Sequence, residues 1–211
     1  MNKILGRNQA LQNLLMIFAE FFKFPEEDFF EEIKRGEIDE QIGVLSKQAG
    51  YPITTCFMRE IHTYEQLVES FNSCFLGMEK PFAPPIESVY KQWTTDESYQ
   101  VPFKQQKGYL MGDPAHHVQH ILKAFNLEIP VEYDLMPDHL TILLEVLAYL
   151  IGQGFLKEAK HFKEDHLDWL ADFRKALDQL QKGRFYRYGV KELERFLGLT
   201  ISFRNNVSEI N

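Results

Sequence analysis

Apolar residues recur along this chain at steps of three and four, while strict alternation with β-branched residues is scarce. In the first stretch Leu11, Leu14, Leu15, Phe18, Phe21 and Phe22 fall on one side of a 3.6-residue turn, which predicts an amphipathic helix. The run "PEEDFFEEIKRG" (25–36) opens with proline and acids and closes with basic residues and glycine, as orphan backbone groups and the macrodipole favour. The same reasoning predicts helices over 37–49, 63–76, 114–126, 137–152, 154–182 and 189–199. The fold class that follows is all-α.

Residues 78–109 break the periodicity with four prolines. A flexible linker would not carry Phe82, Tyr90, Trp93, Tyr99 and Phe103, so this stretch is expected to be an ordered connector, with a short helix around Ile86 to Trp93. It would join an N-terminal helical lobe (1–77) to a C-terminal one (110–203) within a single domain of 211 residues. Leu140, Leu143, Leu144, Leu147, Leu150 and Ile151 form the most continuous apolar stripe, marking a central helix. Ala159, Phe162, His166, Leu170, Phe173 and Leu177 form another, with His166 in a core-facing slot where a hydrogen-bonded histidine is expected.

Charge narrows the partners. With 23 Lys and Arg against 31 Asp and Glu, the formal charge of −8 disfavours nucleic acid and makes cationic partners easier. Cys56 and Cys74 form no CxxC pair and read as structural thiols in a reducing compartment. Gln12, Asn13 and Glu20 interrupt the apolar N-terminal stretch, which argues for a helix instead of an export signal, and no run reaches membrane-spanning length. A cytoplasmic location is expected.

Candidate chemistry is sparse. No phosphate loop, HExxH, GxSxG or Cys-His constellation is present. Gly152 to Phe155, "GQGF", reads as a helix-helix turn, and Asp113-Pro114 as a helix start with Asp113 as the cap. His116 and His120 point from a helix to solvent, with adventitious metal affinity at most. "LMPDHL" (135–140) is different, because it sets Asp138 beside His139 at the mouth of the central helix. Pro137 and Asp138 suit a first helical turn, so capping by Asp138 and packing by His139 is one reading. An acid-base pair in a hydrolase or nucleotide-binding enzyme is another, although neighbours in a helix point about 100° apart. A purely structural subunit is a third.

Five fragments occur in a recognisable order: "FNSCFLG" (71–77), "PPIESVY" (84–90), "MGDPAHHV" (111–118), "PDHLTILLEVLAYL" (137–150) and "HLDWLADF" (166–173). Together they resemble the TorD/DmsD family, related to NarJ, over roughly residues 64–180. Departures are Leu143 where an acid is common, Ile86 for an aromatic, and Phe71 and Cys74 for tyrosine and leucine. The resemblance implies an all-α cytoplasmic chaperone that is not an enzyme. Its partners would be a molybdoenzyme catalytic subunit and that subunit's twin-arginine signal peptide, held until cofactor insertion is complete. It further implies a monomer or domain-swapped dimer, no resident cofactor, and at most weak contact with guanine nucleotide or molybdopterin. The expected signal-peptide residues are Asp138, His139, Pro137 and Leu140, with Glu87, Tyr90, Trp93 and Phe75 adjoining. Asp138 would accept a guanidinium and His139 would orient it.

Overall fold

The computed structural model describes residues 6–78 and 80–200, and its regular structure among them is helical. Ten α-helices follow in order: α1 (Arg7–Glu20), α2 (Glu27–Arg35), α3 (Glu37–Gln48), α4 (Tyr64–Phe75), α5 (Glu87–Tyr90), α6 (Asp113–Ala124), α7 (Leu140–Gly152), α8 (Leu156–His166), α9 (Leu170–Asp178) and α10 (Arg184–Thr200). Short 3₁₀ turns lie at Phe57–Arg59 and Val131–Tyr133.

α7 is apolar nearly all round and is buried nearly all round, as a helix at the centre of a bundle must be. α1 lies along it in the most extensive helix pairing of the fold. Thr141 of α7 donates its hydroxyl to the Ala19 carbonyl of α1 at 3.2 Å, so even the polar position on this face is satisfied. Around the pair, phenylalanines from distant segments meet: Phe18 stacks on Phe196, Phe21 on Phe185, and Phe75 packs against Tyr186 and Phe173. The two expected lobes thus share one apolar core. Gly36 ends α2 with φ 76°, a left-handed conformation that leaves the chain free to turn into α3.

Four of the expected helices differ from the sequence expectation. The helix expected over 154–182 is two helices, because the Trp169 indole donates to the His166 carbonyl at 2.8 Å where Leu167 leaves helical geometry. The central helix starts at Leu140, three residues after Pro137, and α10 starts at Arg184, five residues before 189. The expected helix near Ile86 to Trp93 is a single turn.

The connector is folded onto itself. Trp93 and Thr94 amides donate to the Gln106 and Lys104 carbonyls, and Trp93, Tyr99, Phe103 and Tyr109 pack together. Gly112 presses its end against the start of α6: a Cβ there would lie 2.5 Å from the Trp93 carbonyl oxygen, a backbone atom. Gly112→Ala is therefore expected to lower the unfolding free energy by about 1–3 kcal/mol, the usual cost of overpacking, read from urea denaturation. An unchanged midpoint would mean the connector and α6 are not held at this separation.

Candidate functional site

Two of the fragments singled out in the sequence are joined by backbone. Residues 84–88 run antiparallel to 137–140, with a bridge between Ile86 and His139, Glu87 N–H donating to the Asp138 carbonyl at 3.1 Å, and Leu140 N–H to the Pro85 carbonyl at 2.8 Å. The Asp138 side chain completes the joint. Its Oδ2 accepts the Ser88 N–H at 2.7 Å and a short hydrogen bond from the Ser88 hydroxyl.

This corrects the expected roles at the start of the central helix. Asp138 caps the one-turn α5 across the chain, and the residue capping α7 is His139, whose Nδ1 accepts the Thr141 N–H at 3.3 Å. Asp138 is 0% exposed and His139 7%, and Pro137 and Leu140 are buried beside them. Burial raises the Asp138 carboxyl above its ordinary value, against the hydrogen bonds from Ser88. Burial drives the His139 imidazole down to about 3, so the ring is neutral, and it packs against Tyr133. The four residues expected to contact the peptide directly, Asp138, His139, Pro137 and Leu140, are buried, and the Ser88 and Thr141 amides hold the Asp138 and His139 side chains inside. The same burial, and the separate partners Ser88 and Thr141, disfavour an Asp138-His139 catalytic pair.

Asp113 repeats the pattern. Gly112 holds the cap position of α6, Pro114 follows in its first turn, and the Asp113 carboxylate accepts the Thr94 hydroxyl at 2.8 Å and the Thr95 N–H at 3.1 Å. The expected N-cap is a tie to the connector.

On the other side of the 84–88 segment, α5, α6 and the α8–α9 break surround a cavity of about 620 Å³. Glu87, 0% exposed, forms its floor. Glu87 Oε2 lies 2.8 Å from His166 Nδ1, and His166 Nε2 lies 2.9 Å from His117 Nδ1. With Glu87 ionised, the tautomers that satisfy both contacts have His166 donating to Glu87 and accepting from His117. The other Glu87 oxygen is 2.8 Å from Lys91 Nζ, which also reaches Asp168 Oδ1 at 2.6 Å and the Asp165 carbonyl at 2.5 Å. Burial pushes the Glu87 carboxyl up, with His166 and Lys91 pulling against it. Burial opposes the Lys91 charge, but Glu87 and Asp168 outweigh it and hold the ammonium above its ordinary value. Burial, then the neighbouring His166, lowers His117.

The cavity wall carries five carboxylates, Glu87, Asp113, Asp165, Asp168 and Asp172, against two lysines, Lys91 and Lys107. Its apolar side is Tyr90 stacked on Trp169, with ring centroids 5.1 Å apart and planes 14° apart. The Tyr90 hydroxyl is buried without a hydrogen-bond partner, and burial pushes the phenol up.

Of the residues named from the sequence, Glu87 and Tyr90 meet at this cavity. Trp93 belongs to the connector's aromatic cluster and donates its indole N–H to the Leu110 carbonyl at 3.1 Å, and Phe75 is core. His166 is the buried, doubly bonded histidine expected, and Gly152 to Phe155 the expected helix-helix turn. Lys91, His117, Asp165 and Asp168 were missed. The acids at 165, 168 and 172 are out of phase with the apolar stripe around them, a signal that marks an exposed face without showing that it lines a cavity. His116 and His120 are exposed, and among the described residues no group of three or more His, Cys, Asp or Glu is placed to hold a metal ion. Cys74 is buried and Cys56 half-buried, both as free thiols. No helix among the described residues is long and apolar enough to cross a membrane.

Comparison with known proteins agrees with this architecture. A 143-residue stretch is 26% identical to the chaperone protein TorD of Vibrio vulnificus, in strains YJ016 and CMCP6 alike, and covers 62% of this chain and 60% of those relatives. The match therefore spans about three fifths of the curated relatives' length. The crystal structure of a candidate redox enzyme maturation protein from Archaeoglobus fulgidus superposes with a TM-score of 0.57 at 18% identity, covering 87% of this chain and 93% of that one, a likeness of fold. Residues 38–182, which hold every element of the cavity, match the family model described as nitrate reductase delta subunit, and the chain belongs to that NarJ/TorD family.

Proposed function

We propose that this protein is a redox-enzyme maturation chaperone without catalytic turnover of its own. Its client would be a molybdopterin-containing oxidoreductase, held in the cytoplasm by its twin-arginine signal peptide until cofactor insertion is complete. The observation that carries the reading is the cavity, where five carboxylates stand around an aromatic pair, with Glu87 and Tyr90 on one side and Asp165, Asp168, Trp169 and Asp172 on the other. Guanidinium groups pair with carboxylates through two parallel, charge-assisted hydrogen bonds, and the Tyr90–Trp169 side offers apolar surface to the residues beside them. The buried Asp138–Ser88 joint and the Glu87–His166–His117 chain keep these walls at fixed separation. Binding here would thus depend on Asp138 and His139 through the scaffold and on the cavity carboxylates by contact. A nucleotide or pterin phosphate would meet the same five carboxylates and be repelled.

Calorimetric titration with a synthetic peptide carrying Arg-Arg ahead of an apolar segment tests the reading. Asp165→Asn combined with Asp168→Asn is expected to weaken binding by roughly tenfold or more, one or two charge-assisted hydrogen bonds' worth. Both side chains are exposed, so the helical circular dichroism should hold. Affinity unchanged in the double variant would remove the cavity from the site.

A further inference from the structure

The cavity holds a row of titratable groups whose outer end is exposed. Glu87 Oε2, His166 and His117 are linked by contacts of 2.8 Å and 2.9 Å, running from a wholly buried carboxylate through a buried ring to a residue on the surface. The His117 nitrogen outside these contacts, Nε2, is then the acceptor left for a proton. We infer that the row couples the cavity to a proton, so that a cationic ligand and a proton added to the two imidazoles each weaken the binding of the other; the inference rests on the peptide-binding reading above.

The added proton has a path that breaks no hydrogen bond. In the uncharged pair of rings His117 donates its Nδ1–H to His166 Nε2, and His166 donates its Nδ1–H to Glu87. A proton taken from water onto His117 Nε2 makes that ring an imidazolium that still donates from Nδ1. Passing the Nδ1 proton across the 2.9 Å contact leaves His117 neutral, with its hydrogen on Nε2, and sets the imidazolium on His166 against ionised Glu87. Either way the cavity gains one positive charge. Asp113 of α6, Asp138 at the start of α7, Asp165 and Asp168 at the α8–α9 break and Asp172 of α9 favour that charge along with Glu87, as they favour a guanidinium. Lys91, Lys107 of the connector and His120 of α6 oppose both. Proton and peptide thus draw on the same field, and by linkage each lowers the affinity of the other by the same factor. Burial, then the neighbouring His166, holds His117 below its ordinary value of 6.5, which places the effect on the acid side of that value.

Calorimetric titration of the full chain with the Arg-Arg peptide, at about pH 6 in two buffers of different ionisation enthalpy, counts the protons exchanged. Release of about half a proton or more per peptide is expected, falling towards zero near pH 8, with affinity dropping roughly three- to tenfold between about pH 7.5 and 5.5. His117→Gln keeps a donor for His166 but no site for the extra proton, so proton release and pH dependence should both shrink. His120→Gln, exposed on the same helix and outside the row, should keep both. Ring NMR supplies a second measurement on unaltered protein: His117 and His166 should titrate with a shared midpoint that moves to lower pH when peptide saturates the site. A wild type that binds no peptide at any of these pH values overturns the peptide-binding reading and this inference with it. A wild type that binds without proton release, a release undiminished in His117→Gln, or a ring midpoint that peptide leaves in place overturns the inference alone.

Discussion

Replacing Asp138 by alanine is expected to lower the unfolding free energy by about 2–4 kcal/mol, measured by urea denaturation followed at the helical circular dichroism band. The carboxylate is fully buried and accepts both the amide and the hydroxyl of Ser88, itself fully buried. Alanine leaves both donors without a partner, and an unsatisfied buried donor costs about 1–3 kcal/mol. Removing the carboxylate also relieves its own burial cost, which keeps the figure below that of two lost charged hydrogen bonds. Asp138→Asn retains an acceptor of the same shape and should lose less than half as much. The pair separates scaffold from contact: peptide affinity in Asp138→Asn should track the small stability change. A stable Asp138→Ala protein, within about 0.5 kcal/mol of wild type, would contradict the joint described here.

The second large effect is on pH. The folded His139 imidazole titrates at about 3 because it is buried, against an ordinary value of 6.5. A depressed folded value means that the unfolded chain takes up a proton first. The stability contributed by neutral His139 is present above 6.5 and is lost as pH falls from 6.5 towards 3, on the order of 5 kcal/mol across the whole window. Asp138 and Glu87 work in the opposite direction. Their folded values are raised, so they add relative stability as pH falls through those values, and they offset part of the loss. His139→Asn, a neutral residue suited to the cap position, should flatten the fall in urea midpoint between pH 6.5 and 4. A variant with the same acid limb as wild type would assign the sensitivity to another group.

Much of the fold was readable from hydrophobic period alone, and the failures share a cause. The stripe Ala159 to Leu177 is buried as the spacing implied, yet the helix beneath it breaks where the Trp169 indole takes the His166 carbonyl, a side-chain bond that leaves no mark on periodicity. Asp138 and Asp113 both looked like caps of the helices that follow them. Both bond to residues far away in sequence, Ser88 and Thr94, because local propensity says that an aspartate wants amide donors without saying whose. The candidate site suffered most from this. Glu87 and Tyr90 were found through their motif, but Lys91, His117, Asp165 and Asp168 come together only when α5, α6 and the α8–α9 break close on one another. Trp93 was expected to adjoin the site, and the connector turns it towards its own aromatic neighbours.

The pairing of α1 with α7 sets a timetable for the chain during its synthesis. Ala19 and Thr141, which are hydrogen-bonded across that pair, are 122 residues apart. At about 5–20 residues per second, α1 leaves the ribosome roughly 6–24 s before its main partner does. Over that interval α3, its next most extensive neighbour, is the surface available to cover the apolar face of Leu11, Leu14 and Phe18. Nascent chains are thus exposed to aggregation at α1 until Leu147 and its neighbours emerge, so for several seconds the yield of folded protein depends on how well that one helix is sheltered.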